Sequence, residues 1–452
     1  MSTEHADPLD LARVADLAGE ALDAARNAGA DSADAVVMAA RRLSATVREG
    51  AVEEAEQAEA TDIGLRVFVG ARSALVNVGA ASGLADAAAR AVAMARAAPE
   101  DDTQGLAPAA SLYEGTPPDL DICDPTQPTM DDLIDRSHAL EAAIRQVAGV
   151  TKSGGASASA HHATRAMATS HGFAGAYATS THSQGVTAVA GDGTRMERDH
   201  WYSARRHLAD LEAADSIGHN AGTRAVQRLD GAPISTRTAT VIFEPRVAAG
   251  FVGHLLGAIN GAAVARGGSM LAGKRGERVF PAGIAVRDAP LLARGQASRP
   301  FDGEGLACET LDLVADGILM DYLLDQQSAR KLGLTPNGRA YRGTGAPSPS
   351  ATNVAVLGGR GTLDDLIEDA GSGLLVTGLI GVGANIVNGN YSRGAAGFWF
   401  EGGEIAGPVN EVTIAGQLPQ MFASALFADD APGLYAVDAP SIALPGMTIG
   451  GR

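Results

Sequence analysis

Gly383-Ala-Asn385-Ile-Val-Asn388-Gly389-Asn390-Tyr391-Ser392-Arg393-Gly394-Ala-Ala-Gly397-Phe398-Trp399-Phe400-Glu401-Gly-Gly-Glu404-Ile405 gathers six glycines, a Tyr-Ser-Arg triplet and an aromatic-acidic turn into one run. An ordinary strand needs only alternating apolar side chains. Glycine at this density signals strands and turns in which one backbone comes close to another. On either side the same texture continues, with short strands and glycine turns from 233 to 452 and helical pieces near 326–331, 363–369 and 417–427. Thr238-Ala-Thr-Val-Ile-Phe243 reads as a buried strand, and Pro245 suits the first turn of a helix running to Ala265.

Upstream the pattern changes. Leu9, Leu11, Val14, Leu17, Leu22 and Ala25 mark a helix over 8–29, and Leu84 to Ala98, Asp131 to Val147 and Ala213 to Leu229 predict three more. Strands are expected at 35–38, 43–47 and 63–69, the last turning at Gly70 into a hairpin with 74–78. Residues 99–128, rich in Pro, Asp and Gly, read as a long surface excursion. From Gly155 to His207, small residues alternate with single larger ones, the period of a β-meander. The expected fold class is α+β in two domains: an α/β N-terminal domain over 1–232 and a mostly antiparallel β domain over 233–452.

Composition excludes several functions. A net charge of -18 leaves no clustered Lys and Arg to neutralise a phosphate backbone, so nucleic acid is not an expected partner. Met1 to Pro8 has neither a basic nor an apolar leader segment, and no run of about 18 apolar residues occurs, so no membrane association is expected. Two lone cysteines, Cys123 and Cys308, fit a reducing, cytoplasmic setting.

The opening stretch resembles the C-terminal signature of the TldD/TldE (PmbA) family, in its TldE/PmbA branch, where Asp-Tyr-Ser-Arg-Gly-Ala-Ala-Gly-Phe-Trp is typical; Asn390 replaces the Asp here. Phe251-Val-Gly-His254-Leu-Leu-Gly-Ala-Ile-Asn-Gly261, Phe301-Asp-Gly-Glu-Gly305, Ser328-Ala-Arg-Lys-Leu-Gly-Leu334 and Asn410-Glu-Val-Thr-Ile-Ala-Gly416 follow the same branch in order. The likeness is strong over the last half of the chain and looser before it, including Met196-Glu-Arg-Asp199. In the TldD branch the corresponding helix carries His-Glu-x-x-x-His, with a Cys nearer the C-terminus: two imidazoles for a metal and a carboxylate to take a proton from bound water. Here His254 is kept, but Leu255 stands in place of the Glu and Ile259 in place of the second His, and 436–441 holds no Cys. No catalytic residue and no metal ligand set is therefore expected in this chain.

Other apparent sites also fall short. His161-His162 with His171 and His182 lack an acidic or thiol partner at ligand spacing, and neighbours on a strand face opposite ways. Ser328-Ala-Arg-Lys331 matches Ser-x-x-Lys without its companion motifs, Gly381-Val-Gly-Ala-Asn-Ile386 lacks the last glycine of a dinucleotide loop, and Asp302 with Glu304 reads as a turn.

The resemblance implies a non-catalytic subunit paired with a TldD-type metallopeptidase, which would hold zinc or a similar metal, the pair cleaving unfolded or extended peptides, including peptide precursors. Its mechanical role would be to restrict access and to bind peptide backbone by adding it to a strand edge. Asn385, Asn388, Tyr391, Ser392 and Arg393 are the candidate substrate-binding residues. Arg393 either holds a peptide carboxylate or pairs with Glu401 or Glu404 across a hairpin. Two further classes stay open: a self-sufficient hydrolase with a cryptic site, and a non-enzymatic homodimeric peptide-binding protein.

Overall fold

The computed structural model describes residues 10–79 and 83–451. Met1 to Pro8, read above for a leader, and Leu9 of the first helix lie outside them. The chain divides into two compact units: residues 1–226, 291–309 and 324–349 form the first, and 227–290, 310–323 and 350–452 the second. In place of contiguous stretches 1–232 and 233–452, the C-terminal half lends two segments to the first unit.

The first unit is built on one antiparallel sheet. Helix α1 (Leu11–Asn27) precedes strands β1 (Ser32–Arg48), β2 (Ala51–Val69) and β3 (Arg72–Gly79) and helix α2 (Leu84–Ala97). Then come α3 (Met130–Arg145), β4 (Val150–Thr169), β5 (Ala174–Ala190), β6 (Glu197–Arg205) and α4 (Ala214–Gln227). The strand order is β3-β2-β1-β4-β5-β6, so two meanders join along the β1–β4 pair. Asp10 caps α1 by accepting from the backbone N–H groups of Ala12 and Arg13, and Val14, Leu17, Ala18, Ala21 and Ala25 form its buried stripe. That stripe and α2 bury Ala35, Val37, Ile63, Leu65 and Val67 on one sheet face. Val36, Met167 and Phe173 on the opposite face pack with Phe301 from the segment 291–309.

Two expected strands, 35–38 and 43–47, are a single strand, β1. The acidic run from Val52 to Ala60, unassigned by pattern, is the first half of β2. It has no buried face to impose alternation, and its extended form comes from pairing with β1, including Arg41 Nε to Glu59 Oε1 at 2.7 Å.

In the second unit, β7 (Arg237–Phe243) and α5 (Pro245–Ala258) open a sheet in which Glu404–Gln417, Asn390–Glu401, Ser372–Ile380, β7, Ile442–Gly450 and Leu426–Phe427 lie in that order. Glu404–Gln417 also pairs with Ile442–Gly450 through Thr413↔Gly450, Ile414↔Ile449 and Ala415↔Thr448, which closes five of the strands into a ring. The helix expected to reach Ala265 stops at Ala258, because Asn260 accepts from the N–H groups of Ala262 and Ala263 and caps a new short helix, Gly261–Ala265. The helix expected over 417–427 is confined to Leu418–Ser424. Among the described residues no helix is long and apolar enough to cross a membrane.

Candidate functional site

The strand Asn390–Glu401 and helix α5 bring three side chains of the second unit together. Tyr391 and Arg393 are two apart on the strand and so share a face. His254 reaches the same place from α5, its ring meeting that of Tyr391 edge-on at 5.8 Å between centroids. Tyr391 is 2% exposed, while His254 and Arg393 are half-buried. The Nε of Arg393 is buried without a hydrogen-bond partner.

Electrostatics define what this trio offers. Burial lowers the pKa of His254, and Arg393 beside it lowers it further. Burial pushes the Tyr391 phenol up to about 12, against a smaller opposing pull from Arg393. At neutral pH the imidazole is thus neutral, the phenol protonated and the guanidinium charged. No carboxylate is among the groups acting on either ring. Such a set donates hydrogen bonds and attracts a carboxylate or a carbonyl oxygen, and the neutral imidazole is its one group able to take up a proton.

The glycines explain how the strand is held. A Cβ on Gly383 would lie 1.6 Å from the carbonyl oxygen of Ser392, and one on Gly397 would lie 1.8 Å from that of Leu375. The first lets the loop before the strand fold back so that Ser392 N–H donates to Gly383 O at 2.7 Å. The second sits where the pairing with Ser372–Ile380 shifts register.

The five expected binding residues separate by role. Asn385 accepts from the N–H groups of Val387 and Asn388, and the side-chain oxygen of Asn388 accepts from Asn390 N–H, so both stabilise their own loop. Ser392 is exposed on the face opposite Tyr391 and Arg393. Arg393 lies across from Ile414, while Glu401 faces Glu404 at the far end of the hairpin. The salt-bridge reading of Arg393 is therefore corrected, since roughly eight residues of extended strand separate it from Glu401. Asn390–Glu401 itself has a neighbour on each side and offers no edge to which a peptide could add.

Of the degenerate motif, Leu255 and Ile259 are fully buried, while Phe251 one turn earlier on α5 packs against Phe243 and Phe422. The two positions serve the core. Among the described residues no group of three His, Cys, Asp or Glu side chains is arranged to hold a metal ion. In the first unit the histidines do gain an acidic neighbour that spacing did not reveal: His182 Nε2 lies 3.4 Å from Asp124 Oδ2, and its ring meets His162 edge-on. Burial, then His162, push His182 down to about 4. His161 is exposed, and His171 instead contacts Ala107 O at 2.8 Å.

With the site's geometry in hand, similarity to known proteins gives it a context. The chain matches the PmbA/TldA metallopeptidase domain 1 over residues 33–95, the central domain over 123–229 and the C-terminal domain over 236–451. It is 34% identical over 426 residues to a metalloprotease PmbA of Escherichia coli O157:H7, covering 93% of each chain. It is also 34% identical over 436 residues to a PmbA homologue of Haemophilus influenzae, covering 96% of this chain and 95% of that one. In fold it resembles a solved TldE from Thermococcus kodakarensis, with a TM-score of 0.84 at 21% identity over 96% of this chain and 100% of that one. A solved Bacteroides thetaiotaomicron protein described as a putative modulator of DNA gyrase superposes with a TM-score of 0.89 at 24% identity, over 97% and 98% of the two chains. Domain matches along most of its length and close relatives over nearly all of it place this chain in the PmbA/TldA metallopeptidase family, the TldD/TldE (PmbA) family that its motifs resemble.

Proposed function

We propose that this chain is a TldE/PmbA-type subunit that binds peptide and pairs with a TldD-type metallopeptidase, the metal and the hydrolytic step belonging to that partner. The observation that carries the reading is the burial of Leu255 and Ile259, which puts core side chains where the other branch of the family has its base and second ligand. His254 is left beside Tyr391 and Arg393, a donor set suited to a peptide carboxylate or carbonyl oxygen. Peptide held there is oriented by side chains, because the strand carrying them is fully paired. The cytoplasm is the compartment that fits, since Cys123 and Cys308 are both free thiols.

The test is metal analysis of the purified chain with a peptide-cleavage assay, alone and after mixing with a TldD-type protein. No stoichiometric metal and no cleavage alone, with cleavage on mixing, is the expected outcome. One bound metal per chain with cleavage alone overturns the reading.

A further inference from the structure

A second site lies entirely within the first unit. The two segments returned from the C-terminal half bring Asp302, Glu304 and Asp325 to one place, beside Arg66 of β2. The hydrogen-bond ledger of the three carboxyls is uneven. Asp302 accepts from the N–H groups of Glu304, Leu306 and Ala340, and Asp325 accepts from Ser328 N–H and Oγ–H. Glu304 accepts once, at Oε2, from Gln326 N–H at 2.7 Å. Among the described residues its Oε1 has no protein partner, yet Glu304 is only 5% exposed and lines a cleft of about 230 Å³. With Glu304 in the cleft wall, that oxygen is open to a hydrogen-bond donor entering the cleft.

The remaining lining says what would. Among the described lining residues Arg66 is the one cation, and its Nε and Nη2 are committed to the buried Asp34. Gln327 donates its amide N–H to Asp101 at 3.1 Å, which leaves its oxygen as an acceptor. Gln104 is held by Ser73, and Pro347 adds an apolar wall. Among the described residues the carboxyl oxygens left free in the cleft are Glu304 Oε1 and Asp325 Oδ2, too few for a hard divalent ion, which takes six or more oxygens. An ammonium group needs only about three acceptors.

We propose that this cleft binds a primary ammonium group on a short aliphatic stem, with Glu304 as its counter-ion. The site does not depend on pairing with a second chain. The two sources of that chemistry in a peptide are a lysine side chain and a free N-terminus.

The experiment is isothermal titration calorimetry on the full chain at pH 7, with three probes: Nα-acetyl-lysine amide, free alanine tripeptide and N-acetylated alanine tripeptide amide. Burial, with Asp302 and Asp325 opposed by Arg66, pushes Glu304 up to about 8. The free site is then mostly protonated at pH 7, and a bound cation must release close to one proton, read as a dependence of the heat on the buffer's ionisation enthalpy. Binding of either cationic probe with that release, tightening about tenfold per pH unit from 6 to 7 with the lysine probe, is expected; the probe that binds names the source. Glu304→Gln should weaken binding at least tenfold. Binding of neither cationic probe, equal binding of the acetylated control, binding without proton release, or unchanged affinity in a folded Glu304→Gln protein overturns the proposal.

Discussion

Arg393 is a charged side chain that the fold does not use. Its Nε is buried without a partner, and its charge acts on His254 and Tyr391, not on a carboxylate. Arg393→Ala should therefore change stability by no more than about 1 kcal/mol while strongly impairing peptide processing by the mixed pair. The same substitution has a local readout. Arg393 disfavours a protonated imidazole, so its removal should move the His254 pKa upward, and an NMR titration of the ring would record it. A fall in that pKa, or a large loss of stability with processing intact, would place Arg393 in the framework. Leu255 and Ile259 give the converse case. Writing the missing motif back as Leu255→Glu with Ile259→His puts a carboxyl and an imidazole into fully buried positions without partners, and should cost about 3–5 kcal/mol in thermal or urea unfolding. A stable double variant that takes up metal would show that the helix tolerates the site.

Among the elements, the glycine-rich strand ties sequence to architecture most directly. Gly397 cannot carry a side chain without displacing the carbonyl of Leu375, so Gly397→Ala should destabilise the protein by about 1–3 kcal/mol, measured as a lower urea midpoint. The sequence announced close approach here, but not that the sheet closes. Closure depends on Thr413 meeting Gly450, and no short-range pattern encodes that pair. The meander from β4 to β6 was legible because burial alternates residue by residue along the second half of β5, whereas the first half of β2 was not, having no buried side to write a period. The candidate site was legible by member and not by assembly. Tyr391, Arg393 and His254 were each singled out, but their meeting depends on how α5 lies against the strand. Asn385 and Asn388 carry a signature shared by ligand contacts and loop-stabilising residues, and their side-chain oxygens hold their own loop. Glu304, read as part of a turn, does form one with Asp302; its burial comes from segments distant in sequence. That burial has a sign in stability. A carboxyl whose folded pKa is raised binds more protons folded than unfolded, so Glu304 should cost stability as pH rises from about 4.5 toward 8. Glu304→Gln should melt with the wild type near pH 4 and above it at pH 9. A variant less stable at pH 9 would mean that the charged form is favoured in the fold.

At the scale of the molecule, the path of the chain matters more than its length. The first unit is completed by residues 291–309 and 324–349, which follow the first part of the second unit in the sequence. Phe301 from the first of these segments packs on Val36, Met167 and Phe173. Arg342 from the second is fully buried against Asp34, which it shares with Arg66. Burial alone would raise the Asp34 pKa, but Arg342 and Arg66 outweigh it and hold the carboxyl below its ordinary value. That contribution to stability is present above the ordinary Asp value and lost as pH falls through the lower folded one. The fragment 1–226 retains every strand of the large sheet and both helices on its first face, so by the sequence alone it looks complete. It lacks Phe301 from the cover of Val36, Met167 and Phe173, and one of the two cations on Asp34. It should therefore bind a hydrophobic dye or aggregate, and melt without a sharp transition, even though its strands are intact. Co-expression with 227–452 should restore a cooperative melt if the two returned segments can dock in trans. A soluble 1–226 that melts as sharply as the full chain and binds no dye would show that the sheet and its helices suffice as a folding unit, and that the returned segments were added to an already stable domain.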